Sequence, residues 1–324
     1  MSAAGEFDII ARYFKPLATD RGALGLSDDG ALFDLPAGHE AVVTTDAMVS
    51  GIHFFANDRP DTIGWKLLAV NLSDLAAMGA TPLGYTLALG LPADWNSDWL
   101  GAFSLGLKTC QERYGTSLLG GDTVRSGGVF WAAITAFGAV PKGSALRRNG
   151  ARTGDAIWVS GTVGDAALAV QLRNGWTPPA AVERAGLDHR LDLPEPRLAL
   201  GQALRGIATA ALDISDGLAA DLGHICETSE VGAIVQLADV PLSPTGRGLL
   251  ARDPDVAVTV LTGGDDYELL FTSPADADEQ VYRAAEAAGT PVARIGRITP
   301  GFGVRIVDGQ GHDLNLPHLG FTHF

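Results

Sequence analysis

Two hydrophobic periods alternate along the chain, and the points where one gives way to the other outline its elements. Residues 41–45, Ala-Val-Val-Thr-Thr, run apolar and β-branched after the Gly38-His39-Glu40 turn and predict a strand that delivers Asp46 at its end. Residues 61–78 read as a helix, N-capped near Asp61 and closed by Gly79 with Pro82 beyond. Leu67, Leu68, Leu72, Leu75 and Ala76 supply its core side, while Asn71 and Asp74, three apart, share a face. Strands over 85–91, 117–119 and 129–140 and a helix over 97–114 complete this half. A short helix or arm over 5–13 and a loop over 24–31, leading to a strand around 31–34, precede it.

The basic, glycine-containing stretch 147–155 marks a boundary, giving domains of residues 1–148 and 149–324. Beyond it the pattern predicts strands over 157–160, 210–214, 233–237, 256–261, 267–272, 292–298 and 304–307. Helices are expected over 164–173, 198–204, 218–228 and 275–288. Residues 174–196, with four prolines, read as a connection with one helical turn. Strands and helices alternating around a sheet in each half place the chain in the α/β (α+β) class, with two domains.

Composition narrows the partners. Of 324 residues 46% are hydrophobic and 19% charged, enough for a substantial core in a soluble chain. The net charge of −15 comes with no basic stripe, which argues against nucleic acid and requires cations wherever phosphates are bound. Cys110 and Cys226 have neither metal-ligand spacing nor the look of a disulfide framework. Residues 1–14 lack an apolar signal core and no apolar run approaches 18 residues, so a cytoplasmic protein with no membrane partner is expected.

Glycine is abundant, at 41 residues, and often stands beside aspartate, where the backbone turns tightly or approaches a ligand. Neither a G-x-x-x-x-G-K-[ST] loop nor a strand followed by G-x-G-x-x-G is present. Aspartates instead gather at predicted strand ends and turns: Asp28 and Asp29, Asp46, Asp74, Asp122, and Asp213 with Asp216. Thr44, Thr45 and Asp46 offer hard oxygen ligands of the kind Mg²⁺ prefers, with His53 nearby for an anion. One such aspartate is ordinarily a cap or turn former. Several brought together would repel each other unless cations neutralised them, and spacing alone does not show that they meet.

Longer motifs settle more. Gly5-Glu6-Phe7, residues 25–31, Thr44-Thr45-Asp46 with His53, the block from Ala69 to Ala80, Gly120-Gly121-Asp122-Thr123, Asp213-Ile214-Ser215-Asp216-Gly217-Leu218, residues 263–269 and the closing Gly320-Phe321-Thr322-His323-Phe324 resemble, nearly end to end, the thiamine-monophosphate kinases. That family is similar in fold to the aminoimidazole ribonucleotide synthetase group. The resemblance implies a homodimer paired through N-terminal α/β domains, and transfer of phosphate from ATP to thiamine monophosphate with several Mg²⁺ ions. It also implies that Asp29, Thr44, Thr45, Asp46, Asp74, Asp122, Asp213 and Asp216 are metal ligands. Gly121, Asp122, Arg148, Ser215 and Tyr114 would contact ATP, and His53, Asp265 and His318 the thiamine phosphate. Asp28 is read as shaping its turn.

ATP and a phosphate monoester together carry roughly −5 to −6 charge at neutral pH. Facing them with carboxylates is favourable only with bridging Mg²⁺. The acceptor oxygen is already ionised, so the expected mechanism is direct in-line transfer with no general base, and His53 is an anchor. Three departures from the family pattern stand out. Ser27 replaces a usual glycine, Asp265 is one methylene shorter than the usual glutamate, and His318 stands where an aromatic residue is common. The competing readings are another ATP-using enzyme of the same fold group and a non-catalytic Mg-nucleotide-binding protein.

Overall fold

The computed structural model describes residues 5–179 and 182–321. Thr322, His323 and Phe324 of the closing motif lie outside the described residues. The chain divides into two compact units, residues 1–75 with 80–142 and residues 76–79 with 143–324. The break after Lys142 comes ahead of the 148/149 boundary read from composition.

The first unit is a four-stranded sheet in the order β1-β4-β2-β3, formed by β1 (His39–Val49), β2 (Thr81–Leu91), β3 (Leu118–Arg125) and β4 (Trp131–Pro141). Strand β4 runs antiparallel to both β1 and β2, and β3 lies parallel to β2, so β1 and β3 are the edges. Ahead of β1 stands α1 (Glu6–Ile9), continued by helical turns that bury Tyr13, Phe14 and Leu17. Between the strands come α2 (Pro60–Ala77) and α3 (Ser97–Tyr114). Leu67, Leu68, Leu72, Leu75 and Ala76 are all buried, as expected for the core side of α2.

The second unit carries a six-stranded sheet in the order β10-β7-β9-β5-β8-β6. Its strands are β5 (Ala156–Ser160), β6 (Ala210–Asp213), β7 (Gly232–Gln236), β8 (Leu269–Ser273), β9 (Val292–Thr299) and β10 (Gly303–Val307). All neighbours are antiparallel except β10 and β7. Strand β5 is buried along its whole length, as an inner strand covered on both faces should be. Its helices are α4 (Asp165–Arg173), α5 (Arg184–Asp192), α6 (Leu198–Ala203), α7 (Leu218–Ser229), α8 (Pro244–Leu250), α9 (Val256–Thr262) and α10 (Asp278–Ala288).

Three expectations give way here. Residues 256–261 form a helix where β-branched composition predicted a strand. Val256, Ala257, Val260 and Leu261 are buried at spacings of one turn, and that burial outweighs local preference. Residues 31–34 form no strand. The connection 174–196 holds a nine-residue helix, α5, rather than one turn. Asp188 and Asp192, one turn apart on it, both accept from Arg173 of α4, at 2.9 and 2.7 Å. Helix α8 was not foreseen, although Ser243 caps it by accepting from the Gly246 N–H at 3.0 Å and Pro244 occupies its first turn.

Candidate active site

In the first unit the site begins with the two faces of β1. Val42 and Met48 are buried, and Thr44 and Asp46 share their face, whereas Val43, Thr45 and Ala47 point to the exposed one. Strand β1 continues through Asp46 to Val49, so Asp46 lies within a strand rather than at its end. Helix α2 meets the inner face. Asn71 accepts the Asp46 N–H on Oδ1 at 3.0 Å and donates Nδ2 to the Leu67 carbonyl at 2.9 Å, which fixes its amide. One turn on, Asp74 accepts a short hydrogen bond from Thr44 Oγ1.

Asp46 and Asp74 are also hydrogen-bonded to each other. Burial, then the charge and hydrogen bond of Asp74, push the Asp46 carboxyl up to about 6. Two carboxyls this close share a proton unless a cation takes its place. With the Thr44 hydroxyl they form an all-oxygen donor set that fits Mg²⁺.

Thr45 is not part of this cluster. Its hydroxyl donates to the Ile134 carbonyl at 2.9 Å and accepts from Thr135 at 3.3 Å, across the sheet on β4. His53 sits in the turn after β1, where its Nδ1 accepts the Val49 N–H at 3.1 Å. A backbone N–H can only donate, so the proton of the neutral ring is on Nε2.

Asp29, Gly121 and Asp122 line one cavity of about 320 Å³, with Phe7, Ile10 and Leu26 among its apolar walls. Gly121 is pressed against β2, where a Cβ would lie 1.9 Å from the Leu87 carbonyl. Asp28 accepts the Asp29 N–H at 3.0 Å and so shapes the turn. Tyr114 is not among the lining residues described. Its ring stands 6.0 Å from that of Trp65, with the Arg113 guanidinium over both.

In the second unit Asp213 ends β6, buried, and the chain turns through Ile214–Gly217 into α7. Asp221, on the first turn of α7, gathers that loop. Its Oδ2 accepts the N–H groups of Ser215, Asp216 and Gly217 at 3.1, 3.0 and 3.0 Å. Burial and the neighbouring Asp216 nevertheless raise the Asp221 carboxyl to about 7, against the pull of those donors. The ligand atoms of Asp216, Asp221 and His224 all lie within 4.8 Å of one another. Neither Asp221 nor His224 was foreseen. Their spacing of three along a helix that opens at the aspartate loop was the available signal.

Residues 264–268 run beside this loop. The Asp265 N–H donates to the Ser215 carbonyl at 2.9 Å, Tyr267 N–H to Ile214 at 2.8 Å, and Ile214 N–H to Glu268 at 2.9 Å. The contact is close enough that a Cβ on Gly264 would fall 1.9 Å from the Ser215 oxygen. Asp265 and Tyr267 are left-handed, at φ 70° and 51°, and the Tyr267 hydroxyl donates to Asp265 Oδ1 at 3.0 Å. The closing segment reaches the same loop, with Phe321 N–H donating to the Asp216 carbonyl at 3.0 Å. His318, three residues earlier, is exposed, as is Arg148, whose carbonyl accepts from Ser229 Oγ at 3.4 Å.

Comparison with known proteins bears on the chain as a whole. Residues 27–140 match the AIR synthase related protein N-terminal domain, and residues 152–309 the C-terminal domain. The thiamine-monophosphate kinase of Escherichia coli (strain K12) is 41% identical, covering 99% of both chains. The crystal structure of the thiamine-monophosphate kinase from Stenotrophomonas maltophilia is similar at 46% identity and a TM-score of 0.82, covering 93% of this chain and 94% of that one. A solved structure of AaThiL complexed with AMPPCP and TMP is 29% identical with a TM-score of 0.77, covering 99% and 97%. The chain belongs to the thiamine-monophosphate kinase family, with the two-domain architecture of the AIR synthase related proteins.

Proposed function

We propose that this chain transfers the terminal phosphoryl group of ATP to thiamine monophosphate, releasing ADP and thiamine diphosphate. The full-length likeness to thiamine-monophosphate kinases carries the reading. The Asp46–Asp74 pair supports it from the chain's own chemistry, because adjacent carboxyls on a strand and a helix are a receptor for a divalent cation.

The residues divide by what they can offer. Asp29, Thr44, Asp46, Asp74 and Asp122 in the first unit, and Asp213 and Asp216 in the second, are the oxygen donors assigned to Mg²⁺. Thr44 rather than Thr45 supplies the threonine hydroxyl, since that of Thr45 is engaged across the sheet. When bound, Mg²⁺ supplies the positive charge that lets carboxylates face phosphates. Gly121, Asp122, Arg148 and Ser215 are assigned to ATP, the first two through the cavity they line. Tyr114, whose ring packs against Trp65, is assigned with them to the surroundings of the nucleotide.

His53 presents Nε2–H to the substrate phosphate, and Asp265 and His318 contact the thiamine moiety. The acceptor phosphate is ionised at neutral pH, so no side chain need remove a proton. In-line transfer then depends on holding donor and acceptor in place.

A homodimer formed through the first unit accompanies this reading. Val43 is 58% exposed on the outer face of the sheet, with Leu32, Phe33, Val124 and Val129 also open to solvent. Sedimentation equilibrium giving the mass of one chain at micromolar concentration would remove this part. Among the described residues no helix is long and apolar enough to cross a membrane, and the cytoplasm is the proposed location.

The test is a coupled assay with ATP, Mg²⁺ and thiamine monophosphate, with products resolved by chromatography. Thiamine diphosphate formed one-for-one with ADP, and lost on adding EDTA, is the expected result. ATP hydrolysis without thiamine diphosphate would indicate another acceptor, and Mg-dependent ATP binding without turnover a non-catalytic protein.

A further inference from the structure

Glu268 directly follows the Asp265 loop and is wholly buried. A carboxylate in such a place is costly unless paired and hydrogen-bonded, and two guanidinium groups converge on it. Arg197 meets it fork to fork, Nε donating to Oε2 at 2.7 Å and Nη2 to Oε1 at 2.5 Å. Arg190, on α5, donates through Nη2 to the same Oε1 at 2.6 Å and to the main-chain carbonyl of Asp266 at 3.3 Å. Ser160 Oγ completes the shell, donating to Oε2 at 2.5 Å while accepting the Leu269 N–H at 2.8 Å.

The loop this cluster touches is one that needs restraint. Asp265 and Tyr267 both hold left-handed conformations without being glycine, and such geometry persists only where the surroundings over-determine it. Between them, Asp266 is pinned on one side by the Gly164 N–H, which reaches both of its carboxylate oxygens at 2.8 and 3.0 Å. Arg190 pins the other side through the Asp266 carbonyl. Packing alone does not account for an arginine here. Among the described residues its Nε is buried with no hydrogen-bond partner, a cost that an apolar side chain of similar length would avoid.

We infer that Arg190 and Arg197, acting through Glu268 and the Asp266 carbonyl, are positioning residues that hold Asp265 in place for thiamine monophosphate. The inference rests on the assignment of Asp265 to the substrate. It makes substrate recognition depend on residues 184–197, a segment outside the residues assigned to ligands.

The test compares Arg190→Met, Asp265→Ala and the double variant in the full chain. Arg190→Met should raise KM for thiamine monophosphate by about tenfold, leaving KM for ATP and kcat nearly unchanged. In the double variant KM should be no worse than in Asp265→Ala alone, because Arg190 acts through Asp265. Arg197→Lys, which keeps the charge but loses the fork, should show a smaller rise of the same kind. A fall in thermal midpoint with KM unchanged in Arg190→Met would overturn the inference and leave a structural role only. If Asp265→Ala itself leaves KM unchanged, the substrate assignment fails, and the inference with it. That outcome is distinct from an Asp265→Ala effect that Arg190→Met does not share. Should Arg190→Met fail to fold, Arg190→Lys, too short to reach both acceptors, takes its place with the same readouts.

Discussion

Asp46 on β1 and Asp74 on α2 hold their carboxyl groups in hydrogen-bond contact, and the Asp46 proton is retained to about pH 6. The raised value fixes the sign of a stability effect. The metal-free folded state binds this proton more tightly than the unfolded chain, so the associated stability is complete below the ordinary value of 3.8 and lost as pH rises through about 6. Asp46→Asn should therefore raise the thermal midpoint in EDTA at pH 7.5, reflecting roughly 1–3 kcal/mol, while abolishing Mg-dependent turnover. Scanning calorimetry at pH 4 and pH 7.5 checks it. A variant less stable than the parent at pH 7.5 would show that the two carboxyls do not strain the metal-free fold.

The opposite facing of Thr44 and Thr45 separates two side chains that are adjacent in sequence. Thr44→Val should raise the Mg²⁺ concentration needed for half-maximal activity by about tenfold. Thr45→Val should leave it within a factor of about two and affect sheet stability instead. Equal effects on Mg²⁺ dependence would refute the division of β1 into a metal face and an outer face.

His53 is oriented by its own strand end, through the Val49 N–H on Nδ1. Removing it deletes a donor to a charged group, worth roughly 1.5–3 kcal/mol. His53→Ala should accordingly raise KM for thiamine monophosphate by about 10- to 100-fold with kcat little changed. A collapse of kcat at saturating substrate would make His53 a participant in the chemical step rather than an anchor.

Asp221 is the hub of the loop that carries Ser215 and Asp216, holding three main-chain N–H groups on one oxygen. Asp221→Ala leaves them without that acceptor and should cost about 3 kcal/mol or more in urea denaturation. Asp221→Asn, which retains a carbonyl oxygen, should cost less than half as much. Similar losses would mean that the charge, not the acceptor, secures the loop.

Most elements of both sheets were legible from apolar periodicity, because strands such as β4 and helices such as α3 are patterned by burial on one side. Residues 256–261 were not. Their β-branched composition points to a strand, and the burial that makes them helical comes from other parts of the fold. At the candidate site, strand-plus-aspartate patterns pointed to Asp46, Asp122 and Asp213, and the helical spacing put Asn71 and Asp74 on one face. The sequence did not disclose that Thr45 turns away, since that depends on the phase of β1 against α2. Nor could it reveal the pairing of Glu268 with Arg190 and Arg197, which lie more than seventy residues away along the chain.

The alternation along β1 has a consequence for how this family can vary. Thr44 and Asp46 reach α2 only because each has the same parity in the strand, and Thr45 reaches β4 because it has the other. A substitution at Val43 or Ala47 leaves that parity intact, but inserting or deleting a single residue between Val42 and Asp46 would turn one set of side chains outward and the other inward. The strand is thus constrained in length more severely than in composition. Length changes in related chains should collect in connections such as residues 126–130 between β3 and β4, where no alternating ladder counts the residues.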